Sequence, residues 1–129
     1  MDITVLTLEG FRQEMWEEIR RYGTKNAMKY LSKGADPHKP RFGYTVLIAA
    51  AMDNDLTLIN YLINIAHVDI EAANENGDTA VVVATKYSNT AAFKLLVELG
   101  ADTATYRDLI KFSAEFQQND EILAILYGT

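Results

Sequence analysis

The side chains best suited to proton transfer or metal binding near neutral pH are two histidines, His38 and His67. Neither has a second histidine or a cysteine three or four residues on, the spacing at which two ligands share one face of a helix. Both read as solvated loop residues. Carboxylates come in close pairs at Glu17 and Glu18 and at Asp53 and Asp55. Adjacent and next-nearest residues of a helix point apart, so neither pair converges on one substrate atom as an acid and a base would have to. They read as surface charge. The glycines are scattered without a phosphate-cradling cluster, and there is no cysteine to serve as nucleophile or thiolate ligand. On these residues the chain is expected to be no enzyme and to use no cofactor and no metal.

What remains is the set of elements that could present a surface. A chain of 129 residues, 49% hydrophobic and 23% charged, has the size and composition of one globular domain. The absence of cysteine fits a reducing cytoplasm. The first nine residues have no basic leader, and Asp2, Thr4 and Thr7 interrupt their apolar run, so they do not read as a secretion signal. No stretch approaches the roughly twenty apolar residues needed to cross a bilayer. A net charge of -6 opposes binding to nucleic acid or anionic lipid and favours a basic protein partner, although acidity also serves solubility alone. A monomer is the default expectation.

Repetition dominates the rest of the chain. Gly34-Ala35-Asp36 returns 66 positions on as Gly100-Ala101-Asp102, and Gly43-Tyr44-Thr45 returns 34 positions on as Gly77-Asp78-Thr79. At the offset of 34, Leu47 falls on Val81, Ala50 on Ala84, Ile59 on Phe93, Leu62 on Leu96 and Ile63 on Val97. The small residues Ala49, Ala50, Ala51 and Ala84 suit inner helices that approach closely, and Leu58, Ile59, Leu62, Ile63, Phe93, Leu96 and Val97 suit the core faces of outer helices. At an offset of 29, Ala84, Tyr87, Phe93, Leu96 and Val97 fall on Ser113, Phe116, Ile122, Ile125 and Leu126, a third unit with a shortened turn. Upstream, Phe11, Met15, Ile19 and Tyr22 mark an amphipathic helix expected to open near Thr7 and close at Gly23. The single domain, 1–129, thus divides into an N-terminal helical cap (1–34), a repeat (35–67), a second repeat (68–100) and a shortened C-terminal repeat (101–129).

From about Lys25 onward the chain resembles the ankyrin repeat family, most closely over residues 68–84, where turn glycine Gly77, helix-opening Thr79 and inner-helix Ala84 keep family spacing. The resemblance implies an all-α fold, a short ankyrin-type stack of helix-turn-helix units with β-turn connections. A generic helical solenoid is the alternative, although its units lack a Gly-x-Thr turn. Two departures stand out. The family's Thr-Pro-Leu-His tetrapeptide reads Thr45-Val46-Leu47-Ile48 and Thr79-Ala80-Val81-Val82, and the glycine between paired helices reads Asn54, Ser88 and Gln117. Asn tolerates a left-handed backbone best of the three and Gln least.

The family holds its ligands on the concave side, on turn tips and inner-helix ends. Transferred here, that implies Arg41, Phe42 and Tyr44, then Met52 and Asp53. The second unit adds Glu75, Asn76 and Asp78, then Lys86 and Tyr87, and the third adds Glu115 and Phe116. Aromatics beside an arginine have the composition of binding hot spots. Tyr87 and Phe116 would alternatively pack on each other across the stack. The first turn also carries a basic segment, His38-Lys39-Pro40-Arg41, suited to an acidic patch on a partner or to plain solvation. Two functions follow: a recognition module that docks a folded partner, or an acidic inhibitor or immunity protein that neutralises a basic toxin or enzyme. DNA mimicry is weaker, because Lys39, Arg41 and Lys86 interrupt the acidic surface.

Overall fold

Local signals set the helix boundaries. Thr45 has extended backbone and its hydroxyl accepts the Ile48 N–H at 3.2 Å, opening one inner helix, and Asp55 caps the outer helix that follows by accepting the Leu58 N–H at 3.1 Å. Thr79 has the same extended conformation at the start of the next inner helix, yet its hydroxyl makes no capping bond and is buried without a partner. The computed structural model describes residues 3–128. They form α1 (Ile3–Tyr22), α2 (Ala27–Leu31), α3 (Val46–Met52), α4 (Leu56–Asn64), α5 (Ala80–Lys86), α6 (Thr90–Glu98), α7 (Arg107–Phe116) and α8 (Asp120–Gly128). Among the described residues the sole β pairing is an isolated bridge between Arg41 and Tyr44.

The fold is the all-α stack. Helices α3, α5 and α7 pack in sequence as an inner layer, α4, α6 and α8 as an outer layer, and each inner helix packs on the outer helix that follows it. Alanines 49, 50, 51 and 84 are buried between the layers, as close stacking requires, and Leu58, Ile59, Leu62, Phe93 and Leu96 are fully buried on the outer helices, whereas Ile63 and Val97 are only partly buried at the edge of that core. Side chains tie the units through backbone groups that helix ends leave unpaired. Asn89 donates to the Ala51 and Met52 carbonyls, each at 2.8 Å, and Gln117 donates to the Thr85 carbonyl at 2.8 Å.

Three expectations change. The first concerns register: the N–H of Asn89 donates to Ala84 and that of Asn119 to Ala114, so the second and third units are related by 30 positions, not 29. Ala84 therefore matches Ala114, Leu96 matches Leu126 and Lys86 matches Phe116. The left-handed residues that end the inner helices are accordingly Asn54 (φ 55°), Ser88 (φ 55°) and Gln118 (φ 56°), whereas Gln117 keeps right-handed helical backbone. The second concerns α1, which opens at Ile3 rather than near Thr7 and closes at Gly23 (φ 83°). The third concerns its buried face. Tyr22 is 66% exposed, and Trp16, beside Met15, is the largest fully buried side chain. Phe11, the first position of the expected stripe, lies outside the described side chains.

Candidate functional site

The first turn folds as a two-residue hairpin. Arg41 and Tyr44 exchange backbone hydrogen bonds at 2.9 and 3.2 Å, and Phe42 (φ 58°) and Gly43 (φ 84°) between them both have the positive φ of a type I′ turn. This places a bulky residue where glycine or asparagine is usual. Phe42 is held there by the edge of Trp16 (centroids 6.3 Å apart) and by two guanidiniums, Arg20 at 5.5 Å and Arg41 at 5.1 Å from the ring. Tyr44 meets Trp16 in a second edge contact at 5.5 Å. Burial pushes the Tyr44 phenol up in pKa, and the Asp53 carboxylate adds to the shift.

The second turn is closed from within by Asn74, whose side-chain oxygen accepts the Asn76 and Asp78 N–H groups at 2.9 and 3.0 Å. It docks on the first turn through the Glu75 N–H, which donates to the Gly43 carbonyl at 2.8 Å. The Glu75 side chain lies across Gly43 so closely that a Cβ there would sit 2.6 Å from its carboxyl carbon. Among the described residues the Glu75 carboxylate forms no ion pair. Asp78 does: its nearly buried carboxylate accepts from Lys86 Nζ at 2.7 Å.

Between these turns and the ends of α3 and α5 lies a groove of about 410 Å³. It brings together eight of the sequence-derived candidates, namely Phe42, Tyr44, Met52, Glu75, Asn76, Asp78, Lys86 and Tyr87. A second groove, about 320 Å³, continues along α7 and shares Lys86 with the first; Phe112 and Phe116 line it. Tyr87 and Phe116 do not pack on each other. Phe116 stacks on Phe112 with ring centroids 6.4 Å apart, and both rings are largely exposed.

The remaining candidates do other work. The Arg41 guanidinium covers Phe42. Asp53 accepts the Thr24 N–H at 2.7 Å, and together with the Thr24 hydroxyl bond to Asp55 it joins the N-terminal cap to the first unit. Glu115 sits on α7 with Lys111 at 3.9 Å. Seven lining residues were absent from the sequence-derived set: Gly43, Ile48, Asn74 and Val83 in the first groove, and Phe112, Ser113 and Gln117 in the second. Ile48 occupies the histidine place of the family tetrapeptide, which was the signal available. The one-residue register error hid Gln117, the counterpart of Tyr87 at the offset of 30, whereas Phe112 occupies the same place as Ile48 and was missed with it.

Among the described residues no group of His, Asp and Glu is arranged to hold a metal ion. His38 and His67 are both exposed, and Glu71, four residues beyond His67, accepts the Asp102 N–H at 2.9 Å. No described helix is long and apolar enough to cross a membrane.

A family model described as ankyrin repeats (3 copies) matches residues 18–106. The human protein "SH3 and multiple ankyrin repeat domains protein 2" is 40% identical over 96 residues, which cover 71% of this chain and 5% of that relative's length. The chain thus corresponds to a small part of that relative. With three inner and three outer helices stacked among the described residues, Gly-x-Thr turns and this match over most of its length, the chain belongs to the ankyrin-repeat family, whose members are generally protein–protein interaction modules and typically non-catalytic.

Proposed function

We propose that the protein is a non-catalytic cytoplasmic module that holds a folded partner along its concave face, from Phe42 and Tyr44 past Tyr87 to Phe116. The observation that supports this most is the groove lined by both Glu75, without an ion pair among the described residues, and the exposed ring of Tyr87. An unpaired carboxylate beside apolar and aromatic surface favours a partner that offers a cationic side chain flanked by apolar ones. The sharper form of this reading is an acidic inhibitor or immunity protein for a basic toxin or enzyme, and the net charge of -6 favours it.

The informative variants are Tyr87→Ala and Glu75→Lys. Tyr44 supports Trp16 and Asp78 anchors Lys86, so changes at those positions mix stability with binding. With a partner recovered by pull-down, each variant is expected to weaken binding about tenfold or more, about 1.4 kcal/mol, with melting temperatures near wild type. Glu75→Lys should act mainly on association, and more strongly at low salt, whereas Tyr87→Ala should act mainly on dissociation. Unchanged affinity for both variants would place the partner on another surface and discard the groove.

A further inference from the structure

Asparagine is followed by glycine once in the chain, at Asn76 and Gly77 on the tip of the second turn. In that pair an asparagine reacts most readily with its own backbone, because the next nitrogen can approach the side-chain carbonyl carbon with no Cβ in the way and with the backbone freedom of glycine. Here the approach is open. Glu75, Asn76 and Gly77 are exposed, and nothing lies within 4 Å of the place a Cβ would take on Gly77.

The side-chain amide is also unengaged. Among the described residues the Asn76 side chain makes no hydrogen bond. Elsewhere asparagine side chains are committed: Asn89 and Asn119 donate across the stack, Asn54 accepts the Ala92 N–H at 2.9 Å, Asn26 donates to Glu18, and Asn64 donates to Asn60. One restraint acts on the pair. The Gly77 N–H donates to the Asn74 carbonyl at 3.0 Å, and the Asn74 side chain accepts the N–H groups of Asn76 and Asp78. While those bonds stand, the Gly77 nitrogen is held to Asn74 and cannot attack. Asn74 is the latch of the turn.

We propose that Asn76 is a site of spontaneous modification, converted to isoaspartate and aspartate at a rate set by how often the Asn74 latch opens. In the open turn the Gly77 nitrogen, having given its proton to hydroxide, attacks Asn76 Cγ. The N–Cγ bond forms, the Cγ–Nδ2 bond breaks, and the amide leaves as ammonia after taking a proton from water. Water then opens the five-membered ring at one of its two carbonyls: cleavage of the N–Cγ bond gives aspartate, and cleavage between the nitrogen and the main-chain carbonyl carbon gives isoaspartate. One water enters and one ammonia leaves, with no redox step. Either product adds a carboxylate beside Glu75 and Asp78. Isoaspartate also lengthens the main chain of the turn by one carbon, which disrupts the Asn74 bonds and the docking of the Glu75 N–H on Gly43. The chemistry stands on the turn alone; only its consequence, a groove rim that changes charge and shape as the protein ages, rests on the proposed partner face.

The test incubates the folded full chain at neutral and at mildly alkaline pH and maps its peptides by mass spectrometry, with isoaspartyl methyltransferase labelling to detect isoaspartate. Conversion is expected at Asn76 before any other asparagine, and faster at the higher pH because the attacking nitrogen must lose a proton. Asn74→Ala removes two of the bonds that close the turn and should speed conversion about tenfold. Asn74→Asp keeps both acceptors and should convert at a rate near wild type. Where circular dichroism shows Asn74→Ala unfolded, wild type in guanidinium reads the latch instead, and it should convert at least about tenfold faster than the folded chain. The proposal is overturned by no conversion at Asn76 in the folded chain while the unfolded chain converts fully, by conversion first at another asparagine, or by equal rates in folded and unfolded wild type. A folded Asn74→Ala chain no faster than wild type overturns it too. None of these readings needs a partner, so the groove reading stands or falls separately.

Discussion

Phe42 shows how much a single residue can be asked to do. A left-handed backbone costs a non-glycine residue about 1–2 kcal/mol. The ring returns about 0.5–1.5 kcal/mol from the Trp16 edge and about 0.5–1 kcal/mol from each exposed guanidinium. The return is of the same order as the cost and somewhat larger, which makes two substitutions diagnostic. Phe42→Gly gives up the ring and the strain together and is expected to stay within about 1 kcal/mol of wild type in chemical denaturation. Phe42→Ala gives up the ring and keeps the strain, so it should be less stable than Phe42→Gly by about 1 kcal/mol. Equal stability of the two would mean that the turn does not hold a left-handed residue at position 42. That a large aromatic flanks the turn glycine was legible in the sequence. Its strained backbone and its clamp by Arg20 were not, because Arg20 comes from α1, far along the chain.

At the scale of elements, the first two units align at 34 by identity of the turn and of its capping threonine, and that register holds in the structure. The third unit has no such turn. Its inner helix begins at Arg107, three residues before Ile110, which is the counterpart of Ala80, so the extra helical residues replace the hairpin and its threonine. Alignment then rested on apolar residues alone, and neighbouring apolar pairs such as Ile122 with Leu123 and Ile125 with Leu126 satisfy offsets of 29 and 30 equally well. Only the hydrogen bonds around the helix end distinguish them. Glycine substitution reads this directly. Gln118→Gly relieves a left-handed residue and is expected to stabilise by about 0.5–1 kcal/mol, whereas Gln117→Gly removes the bond to Thr85 and loosens a helical position, costing about 1 kcal/mol. The opposite ranking in thermal melts would restore the offset of 29.

Across the whole molecule, stability comes from neighbour on neighbour. Leu96 is fully buried, and Leu96→Ala is expected to cost about 2–5 kcal/mol in denaturant unfolding as a cavity opens in the outer layer. Phe112→Ser, at a larger but exposed residue, should cost far less, and a similar loss for both would place Phe112 in the core. The sequence by itself determined the two-layer helical stack, because each repeat writes its turn, its small inner residues and its outer apolar face into local spacing, where period and propensity act. It also supplied most of the groove, since turn tips and inner-helix ends fall at fixed offsets within a repeat. Tertiary structure alone decided which candidates are held by other side chains: Asp53 is engaged with Thr24, Asp78 with Lys86 and Tyr44 with Trp16, while Glu75 and Tyr87 are not so engaged. It alone also decided that Leu109, Phe112 and Phe116 on α7 are exposed. Asp53 with Thr24 and Tyr44 with Trp16 bring together side chains 29 and 28 positions apart, and Asp78 with Lys86 joins a turn to the far end of the helix that follows it, so the repeat period encodes none of these pairings.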